Sequence, residues 1–377
     1  MLTIFTPYRI CPIGAHVDHQ LGRITGFALD RGVRLQYEET TDGSFSVISK
    51  NYPGIICFQL EEIPVRRYFW GDFLTGVVEI LQNHYTLTKG FKGEIEGTLP
   101  VGGLSSSAAV ILTYLRAVCQ VNEIHLTQRE LISNAVQVER SYIGVNVGKL
   151  DQSCEVYSKK DHLLFLDTQS DLIELIPQNP DMPPFEIMIA FSGVERKLAG
   201  TAYNSRVDEC KAAAYALKEF SGMEYGRFQD TYLREVPRGI FETYASKLPV
   251  SWRKRASHFY AENERVLAGI QAWRKGDLET FGRQVFASGY SSIHEYQTGS
   301  EELKVMYEIL CRVKGVYGGR FAGAGFNGCS LALIDPEKKE EIQDQITEQY
   351  LKRFPELKES FSIHFCQTSD GIGVDSL

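Results

Sequence analysis

The chain has 377 residues, too many for one comfortable hydrophobic core, so its length points to two domains. Its 43% hydrophobic and 23% charged content is that of a soluble globular protein, and no apolar run nears the roughly 20 residues that span a bilayer. A net charge of −8, with no basic stripe interleaved with aromatics, turns the search for a partner from nucleic acid to a small molecule.

The start, Met1 to Phe5, carries neither a basic region nor a small-residue cleavage site, so the cytoplasm is the expected location. Pro7 to His19 then packs Arg9, His16, Asp18 and His19 into a dozen residues. Metal binding and a plain solvated loop are both open readings; alternation along an extended segment would put His16 and Asp18 on one face and His19 on the other, which suits hydroxyl recognition better than tetrahedral zinc. Short β-rich runs follow at Arg34 to Tyr37, Phe45 to Ser49 and Ile55 to Leu60, with helices expected near 71–84, 108–121 and 128–142.

Pro100 to Ala109 sets two glycines and three serines against the start of the 108–121 helix. Glycines let backbone N–H groups approach an anion, serines supply caps and metal-seeking oxygens, and the helix start is partly positive, so the segment reads as a polyphosphate cradle; an ordinary Ser-capped helix is the alternative. Thr127 to Glu130 spells a capping box, which places Glu139 about two and a half turns inside its helix, as a metal-seeking or a solvated carboxylate. Gly144 to Lys149 imitates a Walker loop but is one residue short and lacks the following Ser or Thr. A turn-rich segment at Pro177 to Pro184 precedes a strand, Glu186 to Phe191, and a long helical region to about Leu310. Gly323 to Gly328 fits G-x-G-x-x-G, yet a strand follows it where a dinucleotide fold needs a helix. The last quarter reads as strands at Tyr317 to Ala322, Cys329 to Ile334 and Ser362 to Gln367 around a charged helix at Pro336 to Tyr350. The eight cysteines are scattered singly and read as reduced thiols.

Three segments, Pro7-x-Arg9 through Gly14-x-His16-x-Asp18, Pro100 through Ala108, and Gly323 through Cys329, resemble in order and spacing the motifs of the GHMP small-molecule kinases, specifically their galactokinase branch. Gly148-Lys149-Leu150-Asp151-Gln152 resembles that branch's Gly-x-x-Asp-Gln segment, Arg196 through Tyr203 to Arg206 its sugar-contacting helix, and Trp70-Gly71-Asp72 the helix start beside adenine. The resemblance covers nearly the whole chain and implies an α+β, two-lobe fold. Its N-terminal lobe, residues 1–185, is ribosomal S5 domain 2-like and carries the sugar motif and the ATP phosphate loop; its C-terminal lobe, residues 186–377, is ferredoxin-like. It implies ATP and Mg²⁺ as cofactors, a monomer or homodimer, and transfer of the γ-phosphoryl group to the anomeric hydroxyl of a sugar. In that reading Asp151 and Arg9 are catalytic, and Ala15, His16, Asp18, Gly148, Lys149, Arg196 and Tyr203 bind the sugar. Trp70, Gly102, Gly103, Leu104, Ser105, Ser106, Ser107, Ala108, Gly323 and Gly325 hold the nucleotide, with Ser107 and Glu139 on the metal.

Departures from the branch bear on specificity. Galactokinases carry Glu where this chain has Ala15, a carboxylate that in the family contacts the sugar's O6 group. Its loss makes room for a C6 carboxylate, with Lys149, Arg196, Lys197, His16 and His19 as candidate cations. Tyr8 to Gln20 and Ser291 to His294 resemble the uronate-specific galacturonokinases, so galacturonate is expected ahead of galactose. Val207 replaces the second Arg of the branch's Asn-x-Arg-Arg, and Asn327 stands where Gly is frequent. A sensor that binds ATP and sugar without turnover is the competing class; the intact Ser106, Ser107, Ala108, Asp151 and Arg9 argue for catalysis.

Overall fold

A computed structural model of the chain describes residues 1–100, 102–194, 200–326 and 328–372. The first lobe runs β1 (Leu2–Ile10), β2 (Arg23–Thr40), β3 (Ser44–Ser49), β4 (Ile55–Gln59), α1 (Asp72–Gln82), β5 (Gly90–Gly97), α2 (Ser106–Val121), α3 (Gln128–Gln137), α4 (Leu150–Tyr157), β6 (His162–Asp167) and β7 (Leu172–Pro177). The second runs β8 (Glu186–Phe191), α5 (Gly200–Ser221), α6 (Arg238–Tyr244), α7 (Val250–Arg274), α8 (Leu278–His294), α9 (Glu301–Leu310), β9 (Val316–Phe321), β10 (Cys329–Ile334), α10 (Lys339–Arg353) and β11 (Ser362–Cys366), after which β12 (Thr368–Ser369) returns to the first.

Among the described residues the larger sheet has eight strands, ordered β4-β3-β5-β2-β6-β7, with β1 and β12 also paired to β2. The expected strand at 34–37 is the middle of β2, whose 18 residues serve β1, β5, β6 and β12 as partners. The smaller sheet is ordered β11-β8-β10-β9 and antiparallel throughout, the 4-1-3-2 arrangement of a ferredoxin-like lobe. Among the described residues no helix is long and apolar enough to cross a membrane, and all eight cysteines are free.

Helix α2 packs on β1, β2 and β5 with α1 alongside. Ala108, Ala109, Ile111, Leu112, Tyr114 and Leu115 are all buried, so it is enclosed on nearly every side rather than amphipathic. Each buried Leu or Ile contributes about 1.5–3 kcal/mol, which makes this helix a firm base for the loop that precedes it. The capping box forms as expected: the Thr127 hydroxyl accepts from the Glu130 N–H, and the Glu130 carboxylate accepts from the Thr127 N–H at 2.8 Å. The helix it starts does not keep its register to residue 142. The α-helix ends at Gln137 and widens into a π-helical turn over Val138–Ile143, closed by Gly144 at φ +83°. Glu139 therefore sits in the wide turn, the kind of local rearrangement that re-aims a side chain at a functional site.

Candidate functional site

Four segments converge where β1 ends. Arg9, the penultimate residue of β1, is 3% exposed and reaches Asp151 on the first turn of α4. Its Nε and Nη2 both donate to Asp151 Oδ1, at 2.8 and 2.7 Å, and its Nη1 donates to the Gly103 carbonyl at 3.0 Å. Burial works against the guanidinium charge, but the neighbouring Asp151 carboxylate outweighs it and lifts the pKa of Arg9 above its ordinary value. Both of these bonds fall on Oδ1. Asp151, with 22% of its side chain exposed, is the solvent-facing member of the pair.

The glycine-serine segment lies against this pair. Gly102 (φ +134°), Gly103 (φ +85°) and Ser105 (φ +63°) take left-handed backbone before α2 begins at Ser106, two residues earlier than expected. The second glycine loop packs onto the first backbone to backbone. A Cβ on Gly102 would lie 2.8 Å from Gly328 Cα, and one on Gly323 would lie 2.9 Å from Gly103 Cα. Gly325 holds the far end of that loop, its carbonyl accepting from the Ser300 N–H at 2.9 Å. Leu104 and Ala108 are buried beneath. The Ser107 hydroxyl donates to Glu139 Oε1 at 2.7 Å, and the Gln152 amide donates to Glu139 Oε2. Two hard oxygen donors side by side at a helix N-terminus are a suitable partial ligand set for Mg²⁺.

The segment from Gly14 to Gln20 is not extended, and here the alternation expected of it fails. His16 has φ +62° and residues 18–20 form a short 3-10 turn, so His16 and His19 both face Tyr296. The His16 ring stacks on Tyr296 at 4.4 Å, and His19 Nε2 meets the Tyr296 hydroxyl at 3.0 Å. Burial lowers both imidazoles, His16 well below its ordinary value and His19 to about 3, so neither is a cation at neutral pH. No three His, Cys, Asp or Glu side chains gather as a metal site among the described residues. Asp18 turns towards α4, its Oδ2 accepting from the Leu150 N–H at 3.2 Å. Gly148 is required there, since a Cβ would collide with that carboxylate at 2.0 Å. Burial, and then the charge of Asp151, push Asp18 up to about 6.

Two residues that shape this turn carry no local signal in the sequence. Glu262, fully buried on α7, accepts from the Gly14 N–H at 2.7 Å and the Ala15 N–H at 3.3 Å. Burial opposes its charge, but Arg265, His258 and Arg320 outweigh burial and hold it at about 2. His258 Nε2 meets the Ala15 carbonyl at 2.9 Å; a carbonyl only accepts, so Nε2 carries the proton and Nδ1 accepts from the Ser291 hydroxyl. Tyr296 is the other residue missed, although Ser291 to His294 just before it carried part of the resemblance.

The remaining candidates divide. Tyr203, on α5, presents an edge to His19 at 6.2 Å and is raised in pKa by burial and then by Asp18 and Asp151, which places it in the same cluster. Lys149 holds the N-cap position of α4, and its half-exposed ammonium pairs with Asp171. Trp70, half-buried before α1, donates from Nε1 to the Pro53 carbonyl at 3.0 Å, while Asp72 accepts from the Arg67 and Phe69 N–H groups and fixes the approach. Arg196 and Lys197 lie outside the described residues.

Known proteins resemble this chain in sequence and fold. Residues 72–159 match the family of GHMP kinases N terminal domain, and residues 269–352 match GHMP kinases C terminal. A galacturonokinase of Arabidopsis thaliana is 36% identical over 397 residues, covering 98% of this chain and 93% of that protein. A galactokinase of Thermotoga neapolitana is 32% identical over 372 residues, covering 98% and 99%. The crystal structure of Lactococcus lactis galactokinase complexed with galactose superposes with a TM-score of 0.89 at 26% identity, covering 98% of this chain and 94% of that one. Methanococcus jannaschii mevalonate kinase shares the fold at a TM-score of 0.66 and 15% identity, over 97% and 98% of the two chains.

Proposed function

Since the chain belongs to the GHMP kinase family and is a sugar kinase of the galactokinase type, we propose that it phosphorylates the anomeric hydroxyl of D-galacturonate with ATP, giving galacturonate 1-phosphate and ADP. The lobe boundary is placed at residues 185/186, with the sugar motif and phosphate loop in the first lobe, and the enzyme is assigned to the cytoplasm.

Phosphoryl transfer asks for alignment and charge neutralisation more than for covalent help. The Gly102 to Ser107 loop and the start of α2 hold the phosphates, and Arg9 neutralises charge on the transferred group. Asp151 orients the anomeric hydroxyl and accepts its proton as the sugar oxygen bonds the γ-phosphorus and the bond to the β-phosphate oxygen breaks. Mg²⁺, when bound, neutralises phosphate charge; Ser107 and Glu139 would hold it. Asp18, Tyr203 and the neutral His16 supply hydrogen bonds to the sugar.

The observation that carries the uronate reading is the charge around Ala15. No carboxylate stands at that position, and behind the Gly14–Ala15 turn two guanidinium groups, Arg265 at 2.7 Å and Arg320 at 3.9 Å, face the single carboxylate of Glu262. The three side chains together leave one net positive charge behind the turn, and with no carboxylate at Ala15 this favours an anionic C6 group. The test is ADP release with Mg·ATP over a panel of hexoses and uronates. Galacturonate should exceed galactose in kcat/KM by at least about tenfold, a margin of 1.4 kcal/mol that one buried charge contact readily supplies. Equal values would return the chain to galactokinase, and no ADP with any sugar would remove the enzyme reading. Ala15→Glu should reverse the preference towards galactose, measured as the ratio of the two kcat/KM values.

Asp18 gives a pH signature. Its folded carboxyl ionises near pH 6, and the ionised form makes the stronger, charge-assisted hydrogen bonds to sugar hydroxyls. The kcat/KM for sugar should therefore fall below a midpoint near pH 6, and the residual activity of Asp18→Asn should lack that limb. A limb that persists in the variant belongs to another group.

A further inference from the structure

Glu155 stands one helical turn beyond Asp151 on the same face of α4, and it is 0% exposed. Neither of its carboxyl oxygens makes a hydrogen bond. Burial, and then the negative charge of Asp151, raise its pKa well above the usual carboxylate range despite the nearby Arg9, which favours the protonated form with an O–H to donate. A buried polar group left without a partner costs about 1–3 kcal/mol, a cost that an apolar side chain of the same shape would avoid.

The Ser105 hydroxyl has the same deficit. Ser105 is 9% exposed and stands close enough to polarise the Glu155 carboxyl, yet outside hydrogen-bond geometry, and its Oγ also has no partner. Ser105 occupies the N-cap of α2 without capping it, and holds left-handed backbone (φ +63°) that serine rarely adopts. The two orphaned groups, one on the phosphate loop and one on the helix that carries Asp151, are each other's unmade partner.

We propose that Glu155 is a positioning residue whose carboxyl group closes onto the Ser105 hydroxyl when phosphates fill the loop, locking the corner of the phosphate loop to the helix that presents Asp151. Closure repays both orphaned groups at once and couples the seating of the nucleotide to the Arg9–Asp151 pair. This rests on the kinase reading for the identity of the ligand, but its first readouts need no turnover.

The experiment uses the full chain as wild type, Glu155→Met, Glu155→Gln and Ser105→Ala, with ADP as the probe. Removal of the orphaned carboxyl should raise the Tm of unliganded Glu155→Met, while the Tm increase produced by saturating ADP should shrink by at least half relative to wild type. Its kcat should drop about tenfold with sugar KM within about threefold, whereas Glu155→Gln, which keeps a donor and an acceptor, should retain at least about a third of wild-type kcat. Ser105→Ala should lose the same part of the ADP shift, and combining it with Glu155→Met should add nothing further. A wild-type ADP shift and wild-type kcat in Glu155→Met, or additive losses in the double variant, would overturn the proposal. Should Glu155→Met not fold, Ser105→Ala alone decides it: a wild-type ADP shift in that variant would overturn the proposal. Wild type that makes no ADP with any sugar would defeat the kinase reading while leaving the thermal-shift comparison intact.

Discussion

Asp151→Asn should abolish most turnover and little else, with kcat falling by about 10²- to 10⁴-fold, the range of a lost general base, and sugar KM moving by no more than about threefold. The asparagine keeps an oxygen for Arg9 but loses the ability to take a proton from the anomeric hydroxyl. Arg9 Nε and Nη2 both rest on Oδ1, so an amide oxygen in the same place can hold the guanidinium in position. The charge of that buried guanidinium is no longer balanced, and stability should fall by up to about 3 kcal/mol, the lower end of what breaking a buried ion pair costs. ADP release under saturating substrates measures the first effect and chemical denaturation the second. A variant with kcat within threefold of wild type would show that Asp151 neither takes the proton nor holds the nucleophile in line.

Gly102→Ala and Gly328→Ala should each raise the KM for ATP by at least about tenfold and destabilise the fold by about 1–3 kcal/mol. Two separate penalties act at these positions. Gly102 has φ +134° and Gly328 φ +109°, backbone that an alanine adopts only under strain, and their Cβ atoms would stand 2.8 and 2.7 Å from backbone atoms of the facing loop. Backbone cannot step aside as a flexible side chain can, so the loops must part and the N–H groups that line the anion site lose their alignment. Gly54→Ala is the control: φ there is +95°, yet an added Cβ would meet nothing within 4 Å. That variant should lose about 1 kcal/mol of stability at most and keep its KM for ATP. If Gly102→Ala behaves like Gly54→Ala, the contact between the two glycine loops has no part in nucleotide binding.

The parts of this site that could be read from the sequence are those whose function demands consecutive residue types. Glycines and serines before a helix announce themselves, and Arg9 and Asp151 are visible through the segments around them. The strands β1, β5, β6 and β7 were not visible in the same way. Pro7 breaks the alternation of β1, and three of the eight residues of β5 are glycines, two of which lie against the backbone of neighbouring strands. Such segments become strands because β2 and β6 offer them hydrogen bonds, a fact of pairing rather than of local propensity. The turn at Gly14 to Gln20 misled for a similar reason. Its shape is imposed by Glu262, some 250 residues away, and His16 and His19 are brought to one side by Tyr296, neither of which leaves a trace near the motif. Glu139 was expected inside the α-helix and sits instead in the π-helical turn that follows it, because such a turn has no compositional mark.

The return of residues 367–372 to the first lobe has a consequence for how the enzyme is made. Thr368 and Ser369 pair with Leu29 and Ala28, Asp30 exchanges hydrogen bonds with Gln367, and the Ile372 N–H donates to the Glu155 carbonyl on the helix that carries Asp151. Translation makes one half of that seam some 340 residues before the other, so nascent chains must wait with an edge of β2 open and α4 unbraced. Truncation before residue 367 would leave a polypeptide with every motif of the site intact and that brace missing.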